Sequence, residues 1–196
     1  MKNYLAKFIE EPTKENFLLV RNNIVSDENY NPYSKDWDQL TDLLDAEKYE
    51  EAIEFSTVNL FLSPRAHLYK QYAYEKLGNQ NYADIEGMIA HRIMDGIEMT
   101  GDGTIENPYL VTSIIDESDM LMRWDEDFFS QSLKHSNNKS FDIITTVSGK
   151  EYYFDITDCY KSLEKNKGSN NRIDLMKEIE TLLEEKPTKK WWEFWK

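Results

Sequence analysis

Residues 94–112 split this sequence into two styles and thereby limit the folds open to it. Their centre is Gly101-Asp102-Gly103-Thr104, followed by Asn107-Pro108-Tyr109. Upstream, apolar residues recur at helical spacing; downstream, short alternating runs read as strands. Asp-Gly and Asn-Pro form turns because glycine tolerates positive φ and proline fixes its own φ while disfavouring a helical predecessor. Gly101, Asp102, Gly103 and Pro108 therefore form a structural joint that sets a helical half against a small sheet. The expected fold is α+β, with N-terminal stacked helical hairpins packed on a small antiparallel sheet, and a C-terminal helix. The regions fall at 1–95 (helical hairpins), 96–165 (the small α+β part) and 166–196 (C-terminal helix and aromatic tail).

The 196 residues carry 40% hydrophobic residues, including 9 Phe, 12 Tyr and 5 Trp, enough for a packed interior. A net charge of −14 disfavours nucleic acid and anionic lipid over most of the surface. The single cysteine, Cys159, excludes an internal disulfide and a cysteine-based metal cage. It reads as a half-buried structural thiol at the end of a strand. The first ten residues lack the apolar core of a signal peptide, and no apolar run approaches the roughly 20 residues of a membrane span. A cytoplasmic location is expected.

In the helical half, Tyr4, Leu5, Phe8 and Ile9 share a face, and Thr13 is placed to cap a helix carrying Phe17, Val20, Arg21 and Ile24. Ser34 suits the cap of a helix carrying Trp37, Leu40, Leu43 and Leu44. Ser63-Pro64 reads as a cap with proline in the first turn, and Gly78 as the stop of the helix holding Leu68, Tyr69, Tyr72, Ala73 and Leu77. The spacing of Tyr49, Ala52 and Pro64, then of Gly78 and Ala83, resembles tetratricopeptide-like repeats. That resemblance implies stacked helical hairpins and a peptide-binding groove. The 31 residues from Ala52 to Ala83 fall short of the usual period of about 34. His67 and His91 read as satisfied or solvent-facing residues.

In the sheet half, residues 109–115 read as a strand, and Asp116-Glu117-Ser118-Asp119 opens a short helix with Met120, Leu121 and Trp124. Its acids suit the positive helix end and are expected in water. Residues 131–135 suggest a further strand. Two strands, 141–147 and 152–157, flank the Ser148-Gly149 turn, with Phe141, Ile143, Thr145 and Val147 matched to Tyr152, Phe154 and Ile156. Asp142 and Asp155 are expected on the wet face. The order Gly101-Asp102-Gly103-Thr104, Asn107-Pro108, Val111, Asp116-Glu117, a Gln131-Ser132-Leu133 strand and Tyr153-Phe154-Asp155-Ile156 resembles a bacterial domain family of unknown function. The resemblance covers roughly residues 35–160 and implies a fold but no reaction.

No catalytic residue, metal ligand or cofactor motif is read from the sequence. A calcium loop starting at Asp102 would place Asn107 where glycine is required and Ser113 where the closing glutamate belongs. Gly-Asp-Gly-Thr lacks the Gly-Lys-Ser/Thr of a phosphate loop. A carboxylate-dependent hydrolase near the joint, drawing on Asp102 or Glu106 with His91 or His135, is the rival expectation. The tail, Lys189-Lys190-Trp191-Trp192-Glu193-Phe194-Trp195-Lys196, carries +3 from Lys186 onward and leaves −17 on the rest. Trp191, Trp192, Phe194 and Trp195 amount to on the order of 600–1,000 Å² of apolar surface that something must cover. Weak membrane contact through this tail is a further alternative. The favoured expectation is a protein-interaction or accessory module, not an enzyme, whose partner is another protein, a basic one fitting the acidity, with no role for nucleic acid. The sequence leaves its oligomeric state open.

Overall fold

The computed structural model describes residues 2–166. Six helices come first: α1 (Lys2–Glu10), α2 (Lys14–Val25), α3 (Asp36–Asp45), α4 (Tyr49–Glu54), α5 (Pro64–Lys76) and α6 (Gln80–Thr100). Strand β1 (Tyr109–Leu110), helix α7 (Ile115–Arg123), strands β2 (Phe128–Ser136), β3 (Lys139–Thr146) and β4 (Glu151–Asp155), and helix α8 (Thr157–Asn166) follow. The fold is α+β. Residues up to Ser162 form one compact unit. The aromatic tail and the helix expected in residues 167–196 lie outside the described residues. Among the described residues no helix is long and apolar enough to cross a membrane.

The helices form where the spacing puts them. Thr13 caps α2 by accepting the Asn16 N–H at 3.2 Å, and Phe17, Val20 and Ile24 point inward on successive turns. At Gly96 a Cβ would sit 2.2 Å from the Phe17 ring, so the missing side chain is what lets α2 lie on α6. Gly78, at φ +72, ends the α5 turn, with Asn79 N bonded to the Tyr74 carbonyl at 2.8 Å. Ser34 Oγ accepts the Asp36 N–H at 3.4 Å where α3 begins, and Ser63 is the N-cap of α5 with Pro64 in the first turn, though the Ser63 hydroxyl makes no cap hydrogen bond. On α5 the deepest residues are Ala66 and Ala73, small enough for close helix approach, whereas Leu77 is exposed.

The sheet has the order β1-β4-β3-β2. It is mixed, not wholly antiparallel: β1 runs parallel to β4, while β2–β3 and β3–β4 are antiparallel. Strand β1 is only two residues long, because after Leu110 the chain turns into α7. The register of the β3–β4 hairpin also departs from the expected one. Ile144 pairs with Tyr152 and Asp142 with Phe154, so Phe141 and Ile143 lie opposite Asp155 and Tyr153 on the other face. Because side chains alternate along a strand, this one-residue change turns Asp142 toward the helices. Asp142 and Asp155 are both buried, not on a wet face.

One apolar cluster crosses the joint: Phe8, Phe17, Ile93 and Ile97 from the helical part meet Met120, Ile144 and Phe154. Each such side chain contributes about 1.5–3 kcal/mol by leaving water. A smaller cluster holds Leu40, Ala52, Leu60 and Ala66 beneath Trp37 and Tyr69.

Candidate functional site

Asp116, Glu117 and Asp119, expected in water, are only 1%, 2% and 2% exposed. Helix α7 lies between α5 and the sheet, so its first turn faces protein, not solvent. The Asp116 Oδ2 atom accepts from Thr112 N (3.0 Å), Thr112 Oγ1 (3.0 Å) and Ser113 N (2.9 Å), closing the turn that leads into α7. Asp119 receives the Arg65 guanidinium, Nε at 2.8 Å, while Arg65 also donates to Ser118 Oγ at 2.8 Å. That pair pins α7 to α5. Glu117 hydrogen-bonds Asp142 on β3, and Gln131 Nε2 on β2 donates to Asp142 Oδ2 at 2.7 Å. One helical turn thus reaches α5 and β3 through Asp119 and Glu117, while Asp116 closes the loop that leads into it.

Burying so many carboxyl groups beside one arginine favours protons over charge. Burial, helped by the charge of Asp119, pushes Asp116 up to about 7, against the hydrogen bonds from Thr112 and Ser113. Burial also lifts Glu117 well above the usual carboxylate range, with Asp142 adding to it. Asp142 is raised to about 6 by burial, against the bonds from Gln131 and Glu117. Asp119 is raised too, because burial outweighs Arg65. Glu117 and Asp142 thus share a buried contact in which both carboxyls are pushed toward the protonated form. No group of three or more His, Cys, Asp or Glu able to hold a metal ion occurs among the described residues. The arrangement joins α7 to β3 and, through Gln131, to β2.

The edge itself is the second feature. Strand β2 is paired only with β3, and its other side carries no strand among the described residues. Phe128 is 55%, Phe129 69% and Leu133 50% exposed, and Val147 beside Asp127 is 66% exposed. Seven of the nine β2 residues are exposed, which sets it apart from β3 and β4. A bulge at Phe129 interrupts the register, and Asn137-Asn138, at φ +50 and +60, turn the chain into β3. In a two-residue turn of this type the flanking pair, Ser136 and Lys139, exchanges both backbone hydrogen bonds. Hence Ser130, Ser132, Lys134 and Ser136 bond to β3, and the backbone groups of Gln131, Leu133 and His135 point outward. Sequence reasoning found the 131–135 strand but missed Phe128 and Phe129; the signal was a run of nine residues, two of them adjacent Phe, with no acid in an acidic chain.

At the joint, Gly101 has the Asn107 and Pro108 carbonyl oxygens where a Cβ would be, each at 2.4 Å. Gly103 has φ +78, and its carbonyl accepts the Tyr153 N–H at 2.9 Å, tying the loop to β4. The exposed Asp102 carboxylate accepts from Thr104 Oγ1 (2.7 Å) and Thr104 N (3.0 Å), bonds that hold it below the usual carboxylate range. Pro108 leads directly into β1. His67, on α5, meets Glu86 at 2.6 Å and the Phe61 carbonyl at 3.3 Å, so both ring nitrogens are engaged. His135 bonds Ser140 Oγ at 2.9 Å with its ring edge-on to Tyr160. Cys159 is fully buried beside the Tyr30 hydroxyl at 3.4 Å, and burial pushes its thiol up to about 12. Trp191, Trp192, Phe194 and Trp195, expected to bind a partner, lie outside the described residues.

No family model, no curated protein and no solved structure matches this chain.

Proposed function

We propose that this chain is a protein-interaction module that docks an extended segment along the open edge of β2. The carrying observation is a nine-residue edge strand whose backbone groups at Gln131, Leu133 and His135 face outward between exposed Phe129 and Leu133 side chains. An added strand satisfies those groups and covers the apolar side chains at once. The sealed Glu117–Asp142–Gln131 chain supports this reading, since it fixes the edge strand from behind and leaves its outer side to a partner.

The helical pairs α3–α4 and α5–α6, with Ala52 and Ala83 buried, are compatible with the tetratricopeptide-like resemblance. One buried thiol suits a reducing cytoplasm. Leu133→Pro tests the function. Proline removes an outward N–H without breaking a bond to β3, so the fold stays intact and docking is lost. Binding of an unblocked edge and a Leu133→Pro edge to an immobilised library of extended peptides, and to the chain itself, measures it. Equal binding by both forms refutes the proposal.

A further inference from the structure

We infer that the segment docked on β2 is β2 of a second copy, paired antiparallel about a two-fold axis at Ser132. This rests on the open-edge reading and names its partner. Geometry permits the pairing. Directly opposed residues in an antiparallel pair must both direct their backbone groups across the new interface. A two-fold axis at Ser132 sets Gln131 against the second copy's Leu133, and Phe129 against its His135. Gln131, Leu133 and His135 are the residues whose backbone groups face outward. An axis falling between two residues would oppose outward-facing positions to positions already bonded to β3.

Charge favours the same arrangement. The chain carries −14, yet the nine residues of β2 hold no acid, so two copies meet along it without opposed carboxylates. Its ends are of opposite sign. Asp125 and Asp127, both exposed, precede the strand, whereas Lys134 and Lys139, also exposed, stand near its other end. Antiparallel pairing brings the acidic end of each copy to the basic end of the other, and does so twice. A parallel pairing would set like charges together. The two exposed Leu133 side chains also come to lie beside one another across the axis, covering surface that each copy leaves bare. The result is an eight-stranded sheet continuous through both copies, of the isologous kind that closes at two chains.

Sedimentation equilibrium of the full chain over a wide concentration range tests this, with far-ultraviolet circular dichroism to confirm folding. The wild type is expected to interconvert reversibly between monomer and dimer. Leu133→Pro and, as a variant that leaves the backbone free, Leu133→Lys are each expected to weaken association at least tenfold with an unchanged spectrum. Asp127→Lys and Lys134→Glu alone should each weaken it roughly two- to fivefold, and an equimolar mixture of those two should restore it. A wild type that stays monomeric into the millimolar range overturns the second copy as partner. If Leu133→Pro still abolishes peptide binding in that case, the open-edge reading stands without it. A dimer indifferent to both Leu133 substitutions overturns the interface.

Discussion

Asp116→Asn is a substitution whose effect turns with pH. Asp116 is completely enclosed, and its carboxyl is raised from 3.8 to about 7, first by burial and then by Asp119. The folded state therefore holds this proton more tightly than the unfolded chain does. The resulting stability is fully present below about pH 4 and is lost as pH rises through 7. A rise of that size corresponds to about 4 kcal/mol. Asparagine cannot ionise, and its carbonyl oxygen can still accept from Thr112 N, Thr112 Oγ1 and Ser113 N. Near pH 4.5 the variant should lie within about 1 kcal/mol of the wild type. At pH 8.5 it should be more stable by roughly 2–4 kcal/mol, allowing for relaxation around the charge. Urea unfolding of both proteins at a series of pH values measures this. The difference between them reads Asp116 together with its coupling to Glu117 and Asp119, all of which are raised in the same direction. A difference that stays constant from pH 4.5 to 8.5, or that grows toward acid, refutes the reasoning.

Glu117→Gln keeps a donor toward Asp142 and should likewise flatten the loss of stability with rising pH, seen as a smaller shift in melting temperature between pH 5 and 8. Arg65→Ala leaves Asp119 buried without its guanidinium and should cost roughly 3–5 kcal/mol at pH 8, with part of the loss recovered at pH 4 when the carboxyl protonates. At the joint, Gly103→Val places a branched side chain at φ +78 with a Cβ 2.7 Å from the Tyr109 ring, and should cost at least about 1–3 kcal/mol in thermal unfolding. Asp102→Asn, at an exposed carboxylate, should leave the melting temperature nearly unchanged; a large drop there would show that the loop depends on its charge.

The parts legible in the sequence are those set by short-range physics. Phe17, Val20 and Ile24 at helical spacing, Thr13 as a cap and Ser148-Gly149 as a turn each depend on a few neighbouring residues, and each appears where expected. The candidate site depended on long-range placement. Asp116, Glu117 and Asp119 carry the pattern of a solvated helix start, and only the seating of α7 against α5 and β3 encloses them. A clue was present in their phase: Asp116, Asp119 and the fully buried Met120 share a helix face at i, i+3 and i+4. Strand β3 misled in a different way. Both of its faces contain apolar residues, so alternation selects the phase of Phe141 and Ile143. The observed phase instead turns Asp142 inward, where Glu117 and Gln131 receive it. No local propensity distinguishes those two registers; the partners of Asp142 do. For β2, pattern reading located the strand at 131–135, but its position at the sheet edge followed only from the order of strands.

Residue-resolved amide hydrogen exchange along β2 tests docking at this edge most directly. In dilute solution Ser130, Ser132 and Lys134, bonded to β3, should be protected, while Gln131, Leu133 and His135 exchange freely. As concentration rises, protection should spread to Gln131, Leu133 and His135, giving a strand protected at every position. If those three amides exchange freely at every concentration, or are already protected in the monomer, the edge is not the docking surface described.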